Sequence, residues 1–309
     1  MKQTAKVPRV LSIGECMVEM SPAAGEDQFR MSFAGDSFNT AWYLRRLLPS
    51  DGTVDYFTAI GTDPLSRRMA EFMTGAGIGC AHLQRLPGQS VGLYMIQLER
   101  GERSFSYWRS TSAARRMLTE GSRLRDALRE KSLAYFSGIT LAILPPEDRV
   151  RLLELLREAR TAGTLVAFDP NLRPALWPGA DEMRKAIMAA AAGADILLPS
   201  FEDEAAHFGD ASPEDTAARY RHAGAGMVVV KNGAGDILTA TDDEMEWHPA
   251  HPVTEIVDTT AAGDSFNAGY LAARLDGADI PAAIRRAHDL SRRVIRHRGA
   301  LVPEAVAQG

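Results

Sequence analysis

Short apolar runs punctuate this chain at 10–13, 54–59, 133–136, 165–168, 195–198 and 227–230. Amphipathic stretches lie between them, among them 146–160 (PEDRVRLLELLREAR), 181–192 and 213–223. A run that is apolar on both faces reads as a strand buried on both sides, the habit of parallel sheets. Parallel neighbours need a crossover, and an amphipathic helix supplies one. The alternation therefore predicts an α/β fold: a doubly wound, mostly parallel sheet flanked by helices.

Two regions depart from that rhythm. Residues 16–33 and 91–108 read as extended and alternating, and Glu99-Arg100-Gly101-Glu102 is a hairpin signal within the second. They predict a small antiparallel β lid projecting from the sheet and able to close over a ligand; a hairpin on the edge of the main sheet is the alternative. With no linker or repeat in its 309 residues, the chain reads as one domain, 1–309.

Composition narrows the function. The net charge of −5 argues against a nucleic-acid partner, which calls for a basic footprint. The two cysteines, Cys16 and Cys80, form no CxxC pair, so the expected compartment is the reducing cytoplasm. No run approaches the ~20 apolar residues of a membrane span. The exposed edges of a small lid sheet make a homodimer an open possibility.

One segment carries the most chemistry. Asp258-Thr-Thr-Ala-Ala-Gly-Asp264 runs directly into the apolar-periodic Ser265-Phe-Asn-Ala-Gly-Tyr-Leu. Small residues at Ala261, Ala262 and Gly263 let a ligand approach the backbone at a helix start, where free amides and the dipole favour an anion such as phosphate. Asp264 at that mouth can take a proton from an attacking hydroxyl, or it can be a plain N-cap. Ahead of it, Gly35, Asp36 and Asn39 open another helix, and both polar side chains can reach hydroxyls or cap the turn. Lys231-Asn-Gly233-Ala-Gly235-Asp236 follows an apolar strand and reads as a glycine-rich turn between two strands, which can be a simple hairpin. Asp169-Pro-Asn171-Leu-Arg173 follows another strand, at the sheet edge where open α/β folds bind ligands. Tyr107-Trp-Arg109 closes the proposed lid hairpin, with Tyr94 on its partner strand. Two arginines converging on a cleft suit a carboxylate; the alternative is a pair of separate surface ion pairs. The chain contains no GxxxxGK[ST] loop, and no GxGxxG follows its first strand, which argues against a nicotinamide enzyme.

D-T-T-A-A-G-D-S-F resembles the C-terminal signature of the ribokinase-like (PfkB) sugar kinases, with Ala261 where the commoner form has glycine. Ala34-Gly35-Asp-Ser-Phe-Asn39 resembles the N-terminal signature. Ile13-Gly-Glu15-Cys-Met-Val-Glu19, Gly92-Leu-Tyr94, Tyr107-Trp-Arg109, Asp169-x-Asn171-x-Arg173 and Arg298-Gly-Ala300 resemble the branch that phosphorylates 2-keto-3-deoxygluconate. The resemblance spans nearly the whole chain. It implies ATP and Mg²⁺, with Asp264 as catalytic base and 261–263 as anion hole. It also implies that Gly35, Asp36, Asn39, Tyr94, Tyr107, Arg109 and Arg173 hold a sugar acid. Asn171, Lys231, Gly233, Gly235, Ala261, Gly263 and His288 then face the nucleotide. The family's N-x-x-E motif, which orders magnesium through water, reads Ser200-Phe-Glu-Asp203-Glu204 here, so the acid is Asp203 or Glu204. A neutral-sugar kinase such as a fructokinase, and a catalytically silent sugar or nucleotide sensor, are the alternatives on this fold.

Overall fold

The computed structural model describes residues 7–23, 28–99, 102–251, 253 and 255–307. In chain order, β1 (Arg9–Ile13) comes first, and β2 (Met17–Pro22) and β3 (Phe29–Ala34) form a hairpin. Next come α1 (Asp36–Leu47), β4 (Thr53–Phe57), β5 (Ala59–Ile60), α2 (Pro64–Gly75) and β6 (Gln84–Arg85). A second hairpin pairs β7 (Leu93–Glu99) with β8 (Glu102–Trp108). It is followed by α3 (Gly121–Leu128), β9 (Leu133–Ser137), α4 (Gly138–Ile143), α5 (Pro146–Thr161) and β10 (Leu165–Asp169). Then come α6 (Ala180–Ala191), β11 (Ile196–Leu197), α7 (Phe201–Phe208), α8 (Pro213–His222) and β12 (Met227–Val230). The last elements used below are β13 (Ile237–Ala240), β14 (Met245–His248), α9 (Ala262–Leu275) and α10 (Ile280–Val294).

Every apolar run of the sequence became a strand of the large sheet, whose order is β14-β13-β12-β11-β10-β9-β1-β4. The pairings from β4 to β12 are parallel, and β13 and β14 extend the sheet antiparallel. Tyr56, Phe57, Tyr135, Phe136 and Phe168 are completely buried in it, which answers the two-faced apolar pattern. Phe136 and Phe168 stack from adjacent strands with centroids 4.6 Å apart.

The helices start where the sequence marks them. Pro146 opens α5 with Glu147 and Asp148 in its first turn, where carboxylates complement the dipole. Leu152, Leu155, Leu156 and Ala159 give it a buried stripe at three- and four-residue spacing. Asp63 and Asp279 cap α2 and α10 through their side chains.

The smaller sheet has the order β3-β2-β7-β8. It is two antiparallel hairpins joined by one parallel pairing, β2 to β7. The lid segments therefore form a sheet of their own, not an edge of the large one. Residues 100 and 101 of the expected turn lie outside the described residues.

Candidate active site

The carboxyl ends of the parallel strands carry the polar centre. Asp169 ends β10 and is almost wholly buried. Its Oδ2 accepts hydrogen bonds from Asn267 Nδ2 at 2.7 Å and Lys231 Nζ at 3.2 Å, and its Oδ1 accepts from the Asn171 amide at 3.1 Å. Lys231 follows β12 and also donates to Asn267 Oδ1 at 3.1 Å. Asn171 stands at φ 35°, a left-handed conformation asparagine tolerates. From there its Nδ2 donates to Asp36 Oδ2 across 2.8 Å.

Asp36 is the first residue of α1, behind Gly35. A Cβ on Gly35 would stand 2.2 Å from the Glu15 carbonyl oxygen, so only glycine lets the helix start pass over the end of β1. One turn on, Asn39 Nδ2 donates to Asp264 Oδ2 at 2.8 Å, and the Thr40 hydroxyl lies 3.3 Å from the Asp264 carbonyl oxygen. The Asp36 and Asp169 charges both act on Asp264, and one ammonium, Lys231, opposes them.

The helix that presents Asp264 begins under strain. Ala261 is left-handed, at φ 58° and ψ 18°, which costs a residue with a Cβ about 1–2 kcal/mol. Asp264 is the third residue of α9 and makes no capping bond, which removes the N-cap alternative. The Ala262 amide closes the turn onto the Thr259 carbonyl at 3.1 Å, so it is not free for a ligand as the sequence suggested. Among the described residues, the amides of Ala261, Gly263 and Asp264 meet no protein acceptor. A Cβ on Gly263 would lie 3.6 Å from Lys231 Nζ, so the ammonium faces this same helix start. Asp258 ties the turn down by accepting from the Thr260 amide at 3.0 Å and the Gly299 amide at 2.8 Å.

Burial first, and then the neighbouring Asp36 charge, push the Asp264 carboxyl up to about 8; the Asn39 bond and Lys231 pull the other way. A carboxylate whose pKa is raised in this way is a stronger base than an ordinary one and is suited to take up a proton during a reaction.

The two arginines are separated by environment. Arg109 follows β8 and is buried, with its Nη2 donating to the buried Glu15 carboxylate. The surface-ion-pair alternative therefore fails for Arg109. Arg173 stands at the mouth of the β10 loop, half-exposed, 3.7 Å from Asp203. Each guanidinium meets an acid of its own.

Tyr94 lies opposite Tyr107 across the β7–β8 hairpin, with ring centroids 5.9 Å apart. Its phenol donates to Glu19, so its proton is spent inside the lid. Tyr107 is exposed on the lid surface. In the 231–236 turn, Gly233 is exposed at φ 57° and Gly235 donates its amide to the Asn232 carbonyl at 2.8 Å. The turn is the hairpin between β12 and β13 and its crest is open to solvent. His288 lies on α10, its ring 6.0 Å from that of His251, and burial lowers its pKa.

Glu204 requires a correction. It is completely buried between α7 and α8, accepting from Tyr220 at 2.9 Å and Arg219 at 2.8 Å. Both its oxygens are engaged away from the centre, so it cannot order a metal there. Asp203 is the acid of the pair that faces the site, where Arg173, Asp169 and Lys231 are its charged neighbours. Among the described residues, no group of three or more His, Cys, Asp or Glu is arranged to hold a metal.

Sequence reasoning missed Asn267 and undervalued Asp169 and Glu15. Asn267 sits three residues beyond Asp264 on the same helix face, a spacing that could have flagged it. Asp169 stood at a strand's carboxyl end, also a legible signal. Nothing in the sequence linked Glu15 to Arg109.

A mostly parallel sheet, a strained small-residue turn feeding a helix, a half-enclosed carboxylate at that helix start and a separate lid sheet define a sugar kinase of the ribokinase-like class. The family model for pfkB family carbohydrate kinases matches residues 7–305, and the chain belongs to this family. It is 39% identical over 302 residues to the 2-dehydro-3-deoxygluconokinase of Escherichia coli K12, covering 96% of this chain and 97% of that one. The enzyme of the same name from Dickeya dadantii is 39% identical over 298 residues, covering 94% and 96%. Among solved structures, a PfkB protein from Polaromonas superposes with a TM-score of 0.82 at 29% identity, covering 94% of this chain and 96% of that one. The 2-dehydro-3-deoxygluconokinase of Thermotoga maritima gives a TM-score of 0.82 at 22% identity, covering 97% and 98%, and shares the fold.

Proposed function

We propose that this chain transfers the γ-phosphate of ATP to the C6 hydroxyl of 2-keto-3-deoxy-D-gluconate, giving 2-keto-3-deoxy-6-phosphogluconate and ADP. The observation that carries the reading is the start of α9. The Asp264 carboxyl, held by Asn39, stands beside backbone amides that meet no protein acceptor. Such amides fit a transferring phosphoryl group, and the carboxylate beside them fits the hydroxyl that attacks it. The names of the E. coli and Dickeya relatives support the substrate.

In this reading the sugar hydroxyl attacks the γ-phosphorus as the bond to the bridging oxygen of ADP breaks. The hydroxyl proton passes to an oxygen of Asp264. The amides of Gly263 and Asp264 and the Lys231 ammonium offset charge on the phosphoryl oxygens. Asp36 and Asn39, fixed through Asn171 and Asp264, line the sugar pocket with Gly35, and the Tyr94–Tyr107 face of the lid excludes water. Arg109 and Arg173 take the carboxylate and keto end. Gly233, Gly235 and His288 border the nucleotide. Magnesium offsets phosphate charge when it arrives with ATP, and Asp203 would hold it through water. A sparse protein site fits an ion that keeps its waters and leans on phosphates. The reaction would run in the cytosol, and a homodimer remains part of the reading, to be checked by light scattering.

A coupled ADP-release assay with Mg·ATP tests the proposal, offering 2-keto-3-deoxygluconate, fructose, ribose and gluconate in parallel. Turnover confined to the keto-deoxy acid is the expected result. Turnover on fructose or ribose instead would keep the phosphotransferase and remove the acid substrate.

A further inference from the structure

Arg109 and Glu15 meet where the lid joins the large sheet. Glu15 follows β1 at the carboxyl end of the large sheet, and Arg109 follows β8 at the root of the lid. Their side chains are 1% and 9% exposed, and the Arg109 Nη2 donates to Glu15 Oε2. Gly92, at the entry to β7, leaves the room for this pair: a Cβ there would stand 2.9 Å from Glu15 Oε1 and 3.2 Å from Arg109 Cβ. Glu15 Oε1 and Arg109 Nε are both buried and have no partner among the described residues. A buried ion pair of this kind earns little stability, because both ions lose their water. What it does supply is direction, since a guanidinium pinned through one Nη in a closed space presents its remaining donors over a narrow range of angles.

We infer that Glu15 is a positioning residue for acid recognition: it fixes the Arg109 guanidinium at the lid root so that the fork is already oriented for the substrate carboxylate. The inference rests on the proposed function. Glu15 need not touch the substrate; its carbonyl underlies Gly35 and its carboxylate faces Arg109, so one residue sets both the helix start and the arginine. A neutral sugar gains nothing from the pair. Glu15 therefore belongs to specificity and not to phosphoryl transfer.

The experiment compares wild type, Glu15→Ala, Glu15→Gln, Arg109→Ala and the Glu15→Ala/Arg109→Ala double variant. Each is assayed on 2-keto-3-deoxygluconate and on its neutral analogue with a hydroxymethyl group in place of the carboxylate. Glu15→Ala should raise KM for the acid roughly tenfold with kcat nearly unchanged, the signature of lost uniform binding. Glu15→Gln keeps an acceptor for Nη2 and should restore most of that loss. The double variant should be no worse than Arg109→Ala, because the two residues act as one unit. kcat/KM for the neutral analogue should not move in any Glu15 variant. Equal losses on both substrates, or additive losses in the double variant, would overturn the inference. If Glu15→Ala melts below the assay temperature, Gly92→Ala crowds the pair from outside and should give the same KM-only loss on the acid; a matching loss on the neutral analogue would overturn it equally. Wild type that ignores the acid altogether would instead defeat the proposed substrate, a separate and earlier result.

Discussion

Asn39 and Asp264 stand 225 positions apart in sequence, yet the Asn39 carboxamide donates to Asp264 Oδ2 across 2.8 Å. Two helix starts, those of α1 and α9, are thereby locked face to face. The bond favours the ionised form of Asp264 against burial and against Asp36. Asn39→Ala should therefore push the Asp264 carboxyl further up. The rising limb of the pH–rate profile should move to higher pH while Asp264 remains in place. A variant with reduced kcat but an unmoved limb would show that Asn39 serves only the sugar.

Asp264→Asn removes the proton acceptor and keeps the shape. kcat should fall by about 10²–10⁴-fold, the usual worth of a positioned general base, with substrate and nucleotide binding retained by calorimetry. Near-normal turnover would refute the base assignment.

The same carboxyl ties activity and stability to pH in opposite senses. Its folded pKa lies at about 8, above the ordinary 3.8. Below the ordinary value both folded and unfolded chains hold the proton; between the two values only the folded chain does; above about 8 neither does. The group's contribution is thus fully present in acid and is lost as pH rises through the folded value. kcat/KM should rise with a limb near 8, and urea titrations should show Asp264→Asn gaining stability over wild type between pH 5 and pH 9. A gap between the two that does not change with pH would contradict the half-enclosed, proton-holding carboxyl.

Asp203 and Glu204 should separate cleanly. Glu204→Ala leaves the buried Tyr220 hydroxyl without its acceptor and Arg219 with Asp210 alone, and should cost about 1–3 kcal/mol of stability, with no change in the magnesium needed for half-maximal rate. Asp203→Asn should do the reverse: raise that magnesium requirement and change stability by no more than ~0.5 kcal/mol, as a partly exposed substitution does.

Ala261→Gly relaxes a left-handed residue. The relief, about 1–2 kcal/mol, exceeds the ~0.5–1 kcal/mol entropy that glycine adds to the unfolded chain. The variant should be more stable by about 0.5 kcal/mol in urea, with kcat unchanged. Lost stability would mean that the Ala261 methyl contributes packing the backbone cost conceals.

Much of this molecule was legible from its sequence because the signals are local. The 227–230 run is apolar on both faces, so it could be stable only inside a sheet, and it is β12. Pro146 with Glu147 and Asp148 announced the start of α5 within a residue. The small-residue turn before Asp264 likewise announced the start of a helix, and it is α9.

What side chains do to one another across the fold was decided only by the tertiary structure. Asp203 and Glu204 are adjacent in sequence and chemically alike, but successive helix positions point about 100° apart, so one faces the site and the other is sealed against Tyr220 and Arg219. Arg109 carried no mark separating a surface arginine from a buried one until β8 brought it beside Glu15. Local pattern determines which segments become strands, helices and turns, because backbone hydrogen bonding and burial period act within a few residues. Partnership, protonation and direction depend on distances between segments that only the packed sheet and its lid establish.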